Sequence, residues 1–336
     1  MRFGVAFIPG MPYRTVIDLA REAEELGYDD LYVPDQTFHR DPFALLALCA
    51  ERTQRIRLGL GVTNPFTRHP VQIARAAGLL AEVSEGRFAL GLGAGNKPRV
   101  LAGFGLEQAG VLPRLREAVD VIRRLIAGET VSYESDTLTV RNVHLDFEPG
   151  HPIPVFLASR APGVLALGGE IADAVMLEGL FTPTALEWAL GRVGEGASRG
   201  SRTLADLETI AWQALVLDDD PGLAERESLQ RWAALLIHTT RPDVLAQVGV
   251  SAEAINGVAA DMAARDGLGE PSGAGVTGED VRKLLLVGSP AQLRERVLEL
   301  RERGVTSISC VLFGSPEEIA LTMRRLAREV IAPLAS

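Results

Sequence analysis

The chain has 336 residues, with 34 Lys+Arg against 44 Asp+Glu and a formal charge of −10 at pH 7. That acidic balance argues against nucleic acid as the main partner, because neutralising phosphates takes a basic surface. Hydrophobic residues make up 47% and charged residues 23%, as in a globular chain large enough to bury a substantial core. No apolar run approaches the roughly 18 residues of a membrane span. The start, Met1-Arg2-Phe3-Gly4-Val5, has no signal-peptide character, so a cytoplasmic chain with no membrane partner is expected.

In chain order, short apolar runs alternate with amphipathic stretches. Residues 3–8 form the first run. Residues 15–26 follow, with Val16, Leu19, Ala20, Ala23 and Leu26 at helical spacing, and Gly27 stands where a helix would stop. Strands are expected at 30–33, 56–61 and 88–92, and helices at 42–51, 71–83 and 112–127. Further strands fall at 154–158, 174–177 and 209–217, with helices at 164–169 and 184–193. A helix at 290–303, a strand at 307–313 and a helix at 316–331 close the chain. Eight β-then-α units imply parallel strands joined by right-handed crossovers, and favour a closed (β/α)8 TIM barrel over an open sheet.

Two stretches break the rhythm. Residues 130–147 alternate through Val131, Tyr133, Leu138, Val140, Val143 and Leu145, which predicts a β-hairpin insertion. Residues 222–284 predict a helical insertion before the eighth strand, with 267–278 as a Gly- and Ser-rich loop. Leu229, Trp232, Leu235, Leu236 and Ile237 read as its core, and the insertion as a lid or wall on the substrate side. The whole chain, 1–336, is read as a single barrel domain carrying these insertions.

In such a barrel the site lies at the C-terminal ends of the strands. The segments there include Asp35-Gln36, residues 61–65, residues 93–97, Ala158-Ser159-Arg160 and Glu178-Gly179. The five histidines show no metal-ligand spacing, and two cysteines cannot build a zinc site. No metal is expected, and Cys49 and Cys310 are expected to be buried thiols. Asp218-Asp219-Asp220 reads as a solvated turn rather than a cation site. Ser159 has no histidine near it in the pattern, so no nucleophilic triad can be argued. With so little machinery of its own, the site is expected to host a cofactor that carries the reaction. Gly91 to Gly95 would let backbone approach a flat ligand, or form a plain turn. Gly163, opening a helix, suits a phosphate, or again a plain turn.

The segments 59–70 (GLGVTNPFTRHP) and 79–95 (LLAEVSEGRFALGLGAG) resemble the luciferase-like flavin and deazaflavin oxidoreductases. Within that superfamily the chain is most similar to the methylenetetrahydromethanopterin reductase group, which uses coenzyme F420. Residues 25–35 (ELGYDDLYVPD), 169–177 (GEIADAVML) and 286–290 (LVGSP) carry the resemblance further. It implies a TIM barrel with the ring at the strand ends, and a non-proline cis peptide matching Gly61–Val62. It implies that Asp35 contacts the cofactor's polar edge. Thr63, Asn64, the run Gly93, Ala94, Gly95 and Asn96, and Ala158, Ser159, Arg160 and Gly163 match segments lining the ring and holding its phosphate. Where relatives carry His after the Asp, this chain has Gln36; where they carry an acid after the Gly-Ala-Gly turn, it has Asn96. An amide orients a carbonyl but supplies no proton, so Glu178 becomes the candidate proton donor. Asp35, Asn96 and Glu178 are thus the expected catalytic set. Lys97, Arg99, Arg160 and Arg68 would provide a basic rim for the polyglutamate tail of F420.

Two activities follow from the resemblance, F420-dependent hydride transfer to a small-molecule substrate or FMN-dependent monooxygenation, while Gln36 and Asn96 leave a third reading, a cofactor-binding barrel without catalysis. The family also implies a homodimer through the second and third helices, which residues 43–48 and 71–80 are apolar enough to allow.

Overall fold

The computed structural model describes residues 1–36, 38–95, 101–265 and 269–335. The first half of the chain runs β1 (Arg2–Ala6), α1 (Tyr13–Glu25), β2 (Asp30–Val33), α2 (Pro42–Ala50), β3 (Arg57–Thr63), α3 (Pro70–Val83), β4 (Phe88–Leu92) and α4 (Val111–Ile126). A hairpin of β5 (Val131–Glu134) and β6 (Thr139–Val143) follows as a separate antiparallel pair. Next come β7 (Val155–Ser159), α5 (Pro162–Ile171), β8 (Ala174–Glu178), α6 (Pro183–Arg199) and β9 (Glu208–Leu217). Four helices form the insertion: α7 (Glu227–Thr239), α8 (Pro242–Val248), α9 (Ala252–Ala264) and α10 (Gly278–Leu284). The chain finishes with β10 (Leu286–Gly288), α11 (Pro290–Glu302), β11 (Ser307–Val311), α12 (Pro316–Leu326), a π-helical turn and α13 (Ala332–Ala335).

The strands β1, β2, β3, β4, β7, β8, β9 and β11 pair in parallel, and the ring closes through β8–β9 and β11–β1. This is the TIM barrel that the alternation implies. One strand was not read from the sequence. Short β10 pairs with Leu215–Leu217, beyond the stretch of β9 that β11 occupies, so the ten-residue β9 serves two neighbours in turn.

Local chemistry sets the helix starts. Asp41, Thr182, Ser251, Ser289 and Ser315 each accept a backbone N–H as N-caps of α2, α6, α9, α11 and α12, which satisfies a donor that the first turn leaves unpaired. Proline opens α2, α3, α5, α6, α8, α11 and α12, where its missing N–H costs nothing. Gly27, at φ 84°, ends α1 in the left-handed region.

The main core lies between the strands and the helical layer. A second cluster fills the barrel interior, with Tyr32, Phe156, Met176 and Ile210 at its centre. Glycine makes that filling possible. A Cβ on Gly59 would fall 2.2 Å from the Tyr32 ring, and one on Gly91 2.4 Å from Phe156. At the other end, Arg2, Asp30, Arg57 and Glu208 from four strands join in an ion-pair network that closes the barrel floor.

Candidate functional site

At the C-terminal end of the barrel the interior cluster opens into a mouth. Ile8, Val62, Ala158, Trp212 and Phe313 stand partly buried on top of it. The Gly61–Val62 peptide bond is cis. A Cβ on Gly61 would lie 3.1 Å from the Trp212 ring, so Trp212 packs close against that backbone. One on Gly93 would lie 2.9 Å from Val62 Cγ2. Val62 and Gly93 thus face each other across the ends of β3 and β4, an apolar wall that larger side chains would fill.

The expected residues gather in two groups. In the first, the Asp35 carboxylate accepts from Thr63 Oγ1 at 2.7 Å and from Arg68 Nε at 2.7 Å. Thr63 carbonyl accepts Gly93 N–H at 2.9 Å, tying β3 to β4. Asn64, 3% exposed, turns its Oδ1 to the N–H groups of Phe66 and Thr67 at 3.1 and 2.9 Å. It shapes the loop after β3, and Gly95, at φ 77°, packs against it. Gln36 makes a tight turn, its carbonyl accepting His39 N–H at 2.6 Å. The carbonyls of Ala94 and Gly95 accept from Gln108 Nε2 at 2.8 and 3.2 Å. Gln108 holds this loop in place, and nothing in its local sequence marked it.

The second group joins β7, β8 and the insertion. Ser159 Oγ accepts Ala161 N–H at 2.9 Å and shapes the turn into α5. Arg160 Nη2 lies 3.4 Å from Glu178 Oε2 and donates to Thr239 Oγ1 of α7 at 3.2 Å. Its Nη1 is buried and has no hydrogen-bond partner among the described residues. Helix α5 begins with Ala161 as N-cap, which provides no side-chain acceptor, and Gly163 lies inside its first turn. An uncapped helix start beside a guanidinium can receive an anion.

The expected basic rim needs correction. Arg68 is not a free cation for an anionic tail: its Nη2 lies 2.7 Å from Asp41 Oδ2, its Nε is on Asp35, and it stacks over Phe43 at 5.2 Å. Arg160 is partnered by Glu178 through Nη2 and keeps its buried Nη1 unpaired among the described residues. Asn96, Lys97 and Arg99 lie outside the described residues. The acidic turn is neutralised, with Arg226 on Asp218 and Asp220 and Arg325 on Asp219. Among the described residues no His, Cys, Asp and Glu cluster could hold a metal. Cys49 and Cys310 are buried, and burial pushes both thiols up to about 12, which leaves them protonated and inert. No helix among the described residues is long and apolar enough to cross a membrane.

The mouth thus joins an apolar wall to a helix start without a side-chain cap. The chain is 30% identical to 5,10-methylenetetrahydromethanopterin reductase of Archaeoglobus fulgidus, over 99% of this chain and 100% of that protein. It is 34% identical to F420-dependent glucose-6-phosphate dehydrogenase of Intrasporangium calvum, over 66% of this chain and 71% of that one. The solved structure of coenzyme F420 dependent tetrahydromethanopterin reductase from Methanopyrus kandleri shares the fold, with a TM-score of 0.84 over 99% of both chains at 24% identity. Residues 1–307 match the family described as luciferase-like monooxygenase; the chain is an enzyme of this luciferase-like oxidoreductase family.

Proposed function

We propose that this protein is an F420-dependent oxidoreductase that transfers a hydride between the deazaflavin and a small organic substrate. The observation that carries the reading is the mouth itself. Val62 and Gly93 form a smooth wall, and α5 opens beside it with no side-chain cap. Relatives named as F420-dependent enzymes support it.

When bound, F420 supplies two-electron hydride chemistry that no side chain of this site can provide. The chain's own residues bind and orient. Val62 and Gly93 back the ring, and Asp35, fixed by Thr63 and Arg68, presents a rigid acceptor at its polar edge. The Gly163 N–H in the first turn of α5, with the helix dipole, would hold the phosphate, and Ser159 shapes the turn. Gln36 orients a carbonyl by its amide, while Glu178, positioned by Arg160, presents its carboxylate as proton acceptor when the substrate is oxidised. Holding both reactants against one wall provides the orientation on which such transfer depends. Leu48 of α2 and Leu79 of α3, 42% and 52% exposed on adjacent helices, support pairing with a second copy through that face.

Titration of the purified protein with F420 and, separately, with FMN tests the reading through cofactor fluorescence. F420 is expected to bind at micromolar or lower concentration. Gly163→Asp, which places a carboxylate at the start of α5, is expected to weaken F420 about tenfold without lowering the melting temperature. Preference for FMN with oxygen uptake would move the assignment to the monooxygenases of the family. Failure to bind either cofactor would overturn it.

A further inference from the structure

Arg160 carries its guanidinium away from the start of α5. Its Nη2 donates to Thr239 Oγ1 of α7 at 3.2 Å and lies 3.4 Å from Glu178 Oε2 at the end of β8. Gly163, in the first turn of α5, faces the other way: a Cβ there would lie 3.1 Å from Leu112 of α4. The helix start and the guanidinium thus lie on opposite sides of β7.

Helix α7 roofs the second side. Trp232 and Thr239 stand two turns apart on one face of it. Trp232 rests on Phe313 beyond β11, with ring centroids 4.2 Å apart, and Thr239 on Arg160 beyond β7. In the ring, β8 and β9 lie between those two strands. Helix α7 therefore crosses the mouth above Glu178 and its paired neighbour Trp212. The space beneath is apolar at Trp232 and Phe313 and polar at Arg160 and Glu178.

The polar end is incomplete. Among the described residues Arg160 engages only Nη2, and its Nη1 is shielded from water with no partner. Buried donors in folded proteins are almost always paired, because leaving one unmade costs the full desolvation of the group. The guanidinium is 18% exposed, so it can turn Nη1 to an incoming oxygen. Glu178, 39% exposed, keeps its carboxylate open to the mouth. One hydroxyl completes both groups: it accepts from the guanidinium and donates its own proton to the carboxylate. A carboxylate ligand would take the donor but meet Glu178 with like charge.

Resting on the hydride-transfer reading, we infer that Arg160 is the receptor for a substrate oxygen, and that the substrate is an alcohol with an apolar body. Oxidation breaks the carbinol C–H bond, whose hydrogen and electron pair go to the oxidised cofactor, and the O–H bond, whose proton goes to Glu178. The carbon–oxygen double bond forms and the cofactor is reduced. Arg160 holds the oxygen throughout, and Thr239 positions Arg160.

Equilibrium dialysis with 1-phenylethanol, acetophenone and phenylacetate, on the protein alone and loaded with F420, tests this. The alcohol is expected to bind saturably and more tightly than the carboxylate. Arg160→Lys keeps a cation beside Glu178 but removes the forked donor. It should weaken alcohol and ketone alike about tenfold and leave the F420 dissociation constant unchanged. Thr239→Val, which frees the guanidinium without altering its charge, should weaken both about threefold. Glu178→Gln should weaken the alcohol and spare the ketone, which has no proton to give. A merely structural role would not produce that split. Alcohol affinity indifferent to both Arg160→Lys and Thr239→Val overturns the receptor. So does a loss of F420 affinity in Arg160→Lys, which would assign the guanidinium to the cofactor's phosphate. Tighter binding of phenylacetate, or equal loss of alcohol and ketone in Glu178→Gln, overturns the alcohol class. Alcohol binding that depends on Arg160 while F420 fails to bind upholds the receptor and overturns the cofactor reading instead.

Discussion

Asp280, 1% exposed, accepts hydrogen bonds from the N–H and hydroxyl of Ser251 at 2.8 and 3.0 Å and from those of Thr277 at 3.1 and 2.7 Å. Burial opposes its ionisation, but these donors prevail and hold the carboxyl below its usual value. A carboxylate with a lowered folded pKa stabilises the fold above its unfolded pKa, about 3.9, and loses that contribution as pH falls through the folded value. Unfolding by urea across a pH series should therefore show the insertion weakening at acid pH. Asp280→Asn should be less stable at neutral pH and should lack that part of the acid dependence. The site residues show how far single positions can be read. Asp35, Thr63 and Asn64 were legible as strand-end residues because alternation and the glycine turns place them there. Their partners were not. Arg68 reaches back to Asp35 across the loop after β3, and Thr239 reaches Arg160 from α7. Such contacts depend on where distant segments are brought, which no local pattern encodes.

Helices α5 and α6 touch through their backbones. A Cβ on Gly169 would fall 2.0 Å from the Val193 carbonyl oxygen, and one on Gly196 1.7 Å from that of Ala166. Gly196→Ala must push the two helices apart, and is expected to lose about 1–3 kcal/mol or more. Gly191, with open space around its Cβ position on the same helix, provides the contrast. Gly191→Ala should stabilise by about 0.5–1 kcal/mol through helix propensity. Thermal unfolding of the two variants decides both. These glycines also explain why the element boundaries were read short. The expected helix 164–169 ends on the pair Gly168-Gly169 and 184–193 ends just before Gly194, yet the helices run over Pro162–Ile171 and Pro183–Arg199. Glycine is a helix breaker by propensity alone. Here close packing overrides that propensity, because backbone contact is available to glycine and to no other residue.

At the barrel floor, Arg57 Nε lies 2.5 Å from Asp30 Oδ1, and its two Nη atoms each lie 3.0 Å from an oxygen of Glu208. Arg57 Nη2 also donates to Tyr32 Oη at 3.1 Å, and Arg2 bridges Asp30 and Glu208. Burial works against the Glu208 carboxylate, but Arg57 and Arg2 hold it below the usual range. Arg57→Leu would leave Asp30, 1% exposed, short of its closest partner. Removing one member of a buried ion pair typically loses about 3–5 kcal/mol. Urea unfolding should register that loss, and Arg57→Lys should recover only part of it because an ammonium cannot span both carboxylates. Arg2, Asp30 and Arg57 lie on the consecutive, paired strands β1, β2 and β3, and closure of the barrel brings Glu208 of the distant β9 onto them.

The order of strands and helices, the parallel ring and both insertions could be read from the residues alone. Hydrophobic period, caps, prolines and right-handed crossovers are local signals, and eight of them in succession leave few topologies. The strand-end segments that form the mouth followed from the same reading. The tertiary structure decided which charges neutralise one another, which glycines serve contact rather than turning, and how Thr239 meets Arg160. It also placed β10 on the end of β9. Each of these depends on the distance between segments remote in sequence, a quantity that exists only once the barrel has closed.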